Sequence, residues 1–124
     1  MFFIIYLLLF ATGALGYGMI EILWRGYTHW SMMLTGGFCV TVIYLYYKNT
    51  ASNLLLINCL VSTVIITATE LLAGYILNIK MKLNIWDYSS YPFNFMGQIC
   101  LRYCAFWFML SIPIIKLCEI MSEI

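Results

Sequence analysis

The sequence predicts an all-α integral membrane protein: four transmembrane helices in an up-down bundle, organised as a single membrane domain over residues 1–124. Three observations predict it. The 124 residues are 65% hydrophobic and 9% charged, with a mean hydropathy of +0.96, whereas soluble domains carry about 25% charged residues. A water-soluble fold would have too little polar surface to face water. The apolar residues gather into four runs of the length a bilayer-crossing helix needs, about 17–25 residues. Stretches such as Leu54-Leu55-Leu56-Ile57 lack the every-second-residue alternation of a barrel strand.

The first helix is predicted over about 1–23. No Lys or Arg precedes its apolar start, as a cleaved signal would require, so it reads as a retained span. The second helix is predicted over 31–47 and the third over 54–79. The fourth is predicted over 94–115, with Pro92 breaking the chain ahead of it and Asn94 as its N-cap. Pro113 is expected to kink or end that helix.

Short connections between these helices favour antiparallel neighbours. Trp24, Tyr27, Trp30, Trp86, Tyr88 and Tyr91 collect in the first and third connections, and Tyr44, Tyr46 and Tyr47 mark the other end, as aromatic belts do at the two membrane boundaries. Thr12 and Gly16, Ala14 and Gly18, and the pair Gly36-Gly37 offer the small surfaces through which helices pack in lipid. Packing within the chain is favoured over a homo-oligomer interface. The halves show faint similarity: Glu21 precedes Gly26-Tyr27, and Glu70 precedes Gly74-Tyr75. Two repeated helical hairpins would bring both acids to one membrane face. Lys and Arg are too evenly spread to orient the chain.

The charged residues carry the functional argument. Glu21, Glu70 and Arg102 lie inside or at the edges of apolar runs, where a charge costs about 2.5–3.5 kcal/mol at the centre of a span. Counted from the predicted helix ends at 1.5 Å per residue, Glu70 and Arg102 lie roughly 12–13 Å deep from the third connection. Matching depth on neighbouring helices predicts an ion pair. Glu21 and Arg25 have the spacing of a same-face helical pair. With His29 and Asp87 these residues form the candidate substrate or ion path: Glu21, Arg25, His29, Glu70, Asp87 and Arg102. The competing reading is structural: a buried pair that sets helix register, an interfacial His29 and an Asp87 that caps a turn.

Several chemistries are excluded. There is no phosphate-binding Gly-rich loop and no H-E-x-x-H pair. No G-x-S-x-G elbow occurs. A lone histidine cannot build a multi-histidine metal site, and Cys39, Cys59, Cys100, Cys104 and Cys118 read as small buried apolar residues. Cys100 and Cys104 alone, four apart, are an incomplete metal site. No enzyme, cofactor or metal is therefore expected, and the net charge of +1 gives no basis for nucleic-acid binding.

The third connection and fourth helix hold an ordered set: Trp86-Asp87-Tyr88-Ser89, Pro92-Phe93-Asn94, Gly97-Gln98-Ile99-Cys100-Leu101-Arg102-Tyr103 and Phe106-Trp107. With Glu70, Gly74 and Gly26-Tyr27-Thr28-His29-Trp30-Ser31, the set resembles the bacterial family "putative ABC-transporter type IV". Trp86, Asp87, Tyr88, Ser89, Pro92, Asn94, Gly97 and Arg102 are the matching motif positions. The resemblance implies a permease-like component of a transport system in a bacterial cell membrane, with an ATPase or other membrane subunit as partner. The alternative is a non-transporting scaffold or regulatory subunit that docks another membrane protein.

Overall fold

The computed structural model describes residues 2–123, with the side chains of 3–123. Its four helices are α1 (Phe2–Arg25), α2 (Trp30–Thr50), α3 (Leu55–Gly74) and α4 (Leu101–Ser122). A π-helical segment, Tyr75–Lys80, continues α3. All four helices are long and apolar enough to cross a membrane. The predicted all-α class with four membrane-length helices holds. Met1, the expected start of the first helix, lies outside the described residues.

The chain divides into two compact units, Met1–Ala51 with Ile115–Ile124, and Ser52–Ile114. In the first, α1 and α2 pack antiparallel through glycine. A Cβ on Gly13 would lie 2.7 Å from the Gly36 carbonyl oxygen, and one on Gly36 would lie 2.6 Å from the Tyr17 Cβ and 2.9 Å from the Gly13 oxygen. Such backbone approach leaves no room for a side chain, and in lipid close packing of this kind is a main source of helix affinity. Gly37 meets Phe10, and Gly18 meets Met33. Gly16 faces open space, so the small-residue seam runs through Gly13 and Gly18 rather than through Thr12 and Gly16. Helix α1 stops where Gly26, at φ +85°, takes the left-handed conformation and returns its N–H to Ile22. His29 caps α2.

The second unit opens on a side-chain clasp. Asn58, buried in the first turn of α3, accepts the Ser52 N–H through Oδ1 and donates Nδ2 to the Ser52 carbonyl, both at 2.9 Å. Across the unit, the Thr67 hydroxyl lies 3.5 Å from the Cys104 sulfur, and Gly74 faces Gln98. These two contacts set α3 antiparallel to the returning chain.

The fourth helix begins seven residues later than predicted. Asn94–Phe95 (β1) pairs with Ile99–Cys100 (β2) as a two-stranded antiparallel hairpin, and the helix starts at Leu101. Phe93 and Met96 have φ near +56° and Gly97 has φ +72°, a conformation that a right-handed helix cannot contain. Asn94 is therefore a hairpin residue, not an N-cap, and Cys100 does not share a helix with Cys104. Pro113 does not end α4, which runs on to Ser122.

Candidate functional site

The third connection, Met81–Cys100, is tied to the end of α3 by polar groups, of which Trp86 and Gln98 are buried. Asn78, in the π-helical segment, donates Nδ2 to the Gln98 side-chain oxygen at 2.8 Å and accepts the Ile85 N–H at 2.7 Å. Trp86, buried, donates its indole N–H to the Gln98 carbonyl at 3.0 Å. Gln98, 5% exposed, also donates Nε2 to the Met96 carbonyl. Gly74 makes the docking feasible, since a Cβ there would lie 2.5 Å from the Gln98 Oε1.

The family-motif residues bind chiefly one another. The Asp87 carboxylate accepts from both the N–H and the hydroxyl of Ser89, an Asx turn. The Asp87 Oδ1 and the Ser89 hydroxyl crowd Gly97, where a Cβ would lie 2.8 Å from each. Asn94 donates to the Tyr91 carbonyl at 2.8 Å and accepts the Gly97 N–H at 3.1 Å, while Gly97 accepts the Tyr88 N–H at 2.7 Å. Pro92 stands exposed in this turn. The Ser89 bonds hold the Asp87 carboxyl below its ordinary value. A depressed carboxylate contributes above the unfolded pKa and is lost as pH falls through the folded one. Loop closure is thus expected to persist from neutral pH to about 4 and loosen below it. Hydrogen exchange of the Ser89 amide would follow this, and Asp87→Asn should flatten the profile.

This clasped loop delivers Tyr88 to Glu70. Glu70 is buried on α3, 5% exposed, and its carboxylate accepts the Tyr88 hydroxyl at 3.4 Å. The Tyr88 ring stacks on Tyr103 of α4, with centroids 4.7 Å apart and planes 11° apart, and Tyr91 meets both rings edge-on at 5.9 Å. Arg102 lies over the face of Tyr91, 5.4 Å from its centroid.

The register of Thr67 with Cys104 and of Gly74 with Gln98 puts Glu70 level with the start of α4, as matching depths predicted. Only the depth of Arg102 needs correction: it is the second residue of α4 and exposed, not eight residues inside a helix. Glu70 keeps its predicted place, since the π-helical segment carries the helix on to Lys80, ten residues beyond it. The predicted direct contact is also replaced: Arg102 engages Tyr91, and Tyr88 and Tyr91 stand between the two charges. The hairpin that displaced the helix start accounts for both differences.

In the first unit, Arg25 grips Glu21 with two bonds, Nε to Oε2 at 2.7 Å and Nη2 to Oε1 at 3.0 Å, and its guanidinium lies 5.0 Å from the Tyr27 ring centroid. The His29 Nδ1 accepts the Ser31 N–H at 3.2 Å, which caps α2 and puts the ring proton of a neutral imidazole on Nε2. Sequence reasoning passed over Asn78; its signal was one amide inside Ile76-Leu77-Asn78-Ile79.

Four apolar spans and a polar loop folded onto a buried intramembrane carboxylate define a multi-pass membrane protein. The chain belongs to the family described as "Putative ABC-transporter type IV", whose model matches residues 7–123. No solved structure matches it.

Proposed function

We propose that the protein is a permease-like component of a transport system in a bacterial cell membrane, with Glu70 as the carboxylate of a small-solute or ion path and the third connection as its cover. The observation that carries this reading is the Tyr88–Glu70 contact: a buried acid, costly in a span, is reached by the tip of a separately braced loop. A register-setting pair would need no such loop. Membership of the transporter-related family supports the same reading. Glu21, held by Arg25 within its own helix, serves structure here. The same loop is the longest connection and so the natural surface for an ATPase or other membrane subunit.

In liposomes holding the purified chain, with a pH-sensitive dye inside and an imposed cation gradient, Glu70→Gln is expected to reduce flux at least tenfold while thermal unfolding stays within a few degrees. Persistent flux in Glu70→Gln, with only stability reduced, would remove Glu70 from the path. Absent flux in the wild type, with a second membrane protein co-purifying in native lipid, would make the chain a docking subunit.

A further inference from the structure

We propose that the tyrosine cluster beside Glu70 is a binding site for a delocalised organic cation, and that Arg102 is the chain's own stand-in for that ligand. The inference deepens the reading of Glu70 as a transport carboxylate and rests on it for the direction of any movement.

Three observations converge. First, tyrosine ring faces carry negative potential and attract cations, most strongly where water is excluded. The structure already seats a cation on this cluster: the Arg102 guanidinium, 5.4 Å from the Tyr91 centroid. Guanidinium is planar, delocalised and weakly hydrated, so the surface that holds it suits ligands of the same character. Second, the cluster adjoins a buried carboxylate through Tyr88. Ring faces orient a cation, and the carboxylate neutralises it at a depth where an unpaired charge is penalised. Third, the rings continue into the membrane. Tyr103 is followed by Phe106 and Trp107 at 6.4 and 6.3 Å, which themselves meet at 5.3 Å. These three share one face of α4, and Trp107 lies six residues from the helix start, about 9 Å along the axis. Aromatic surface thus extends from the exposed guanidinium inward past the level of Glu70.

The same geometry says how the site opens. Tyr88 covers Tyr103 by stacking, and its hydroxyl lies 3.4 Å from the Glu70 carboxylate. The loop base is held by shorter bonds of 2.7–3.0 Å from Asn78 and Gln98. The loop backbone stays anchored, Tyr88 included, through its N–H to the Gly97 carbonyl at 2.7 Å; Arg102, on the exposed first turn of α4, is placed to swing away from Tyr91 and open the ring faces.

The test uses the full chain in detergent, with tetraphenylphosphonium as probe and tetraphenylborate, the same shape with opposite charge, as control. The wild type is expected to bind the cation saturably and the anion at least tenfold more weakly. Glu70→Gln and Tyr103→Leu, which keeps apolar bulk without the ring, should each weaken cation binding about tenfold. Arg102→Gln removes the resident cation and should tighten binding about threefold, an effect that loss of a structural contact would not produce. Equal binding of the anion, no saturable binding, or unchanged binding in Glu70→Gln and Tyr103→Leu would overturn the proposal. If Glu70→Gln does not fold, Tyr103→Leu and Arg102→Gln decide. Glu70-dependent flux without phosphonium binding defeats the ligand assignment alone, and saturable binding without flux defeats transport alone.

Discussion

Gly36→Leu is expected to separate the first two helices and cost at least about 3 kcal/mol, the upper end of what overpacking does in a well-packed interior. The reason is that the two nearest obstructing atoms are fixed to the facing helix. A Cβ at Gly36 would meet the Tyr17 Cβ at 2.6 Å and the Gly13 carbonyl oxygen at 2.9 Å. A flexible side chain could rotate aside, but a Cβ and a carbonyl oxygen move only with their helix. Lipid offers no hydrophobic force to draw the helices back, since acyl chains are as apolar as the leucine. Gly16→Leu is the matched control, for nothing lies within 4 Å of the position, and it should stay within about 0.5 kcal/mol of wild type. Unfolding in mixed detergent micelles would compare the two. Equal losses would refute the placement of the seam.

Gln98→Ala should release the third connection, at a cost of about 2–4 kcal/mol. The substitution takes away the acceptor for Asn78 and the donor to Met96 in a residue 5% exposed. The part-buried Asn78 amide then lacks its acceptor, which costs about 1 kcal/mol, the low end of the range for an unsatisfied group, and the lost volume beside Gly74 and Trp86 adds a cavity term. Gln98→Glu retains an acceptor for Asn78 and should recover part of the loss. Trypsin provides the readout: Lys80 and Lys82 are exposed where the loop begins, and cleavage there should accelerate severalfold in Gln98→Ala but not in Ser90→Ala, which alters an exposed position. Unchanged cleavage in both would show that the loop does not depend on this brace. Because the brace carries Tyr88 to Glu70, flux should fall with Gln98→Ala as it does with Glu70→Gln.

The candidate residues divide according to what carried their signal. Glu21 and Arg25 were legible as a pair because a helix brings positions four apart together, and the contact is local. Glu70 and Arg102 were legible as residues at one level. Their actual partners were not, because Tyr88, Tyr91 and Tyr103 read equally well as a membrane-boundary belt. Asp87 was legible as a turn cap, and so it is. His29 stood among the path residues because it follows Glu21 and Arg25 at one membrane face, and its ring caps α2. Asn94 shows the limit most clearly. After Pro92 it has the pattern of an N-cap, yet it closes a hairpin with Gly97.

Sequence alone determined the membrane class and the four spans. Those follow from composition and from the length of the apolar runs, which act along the chain and hold whatever the neighbours do. Tertiary structure alone decided where the fourth helix starts, which glycines form the seam, and that tyrosines stand between the two charges. Each of these depends on groups distant in sequence: Asn78 with Gln98, Gly13 with Gly36, Tyr88 with Glu70. A buried amide must find its partner wherever the fold supplies one. Here that requirement held residues 94–100 in a hairpin against α3 and overrode a helical pattern that was locally sound.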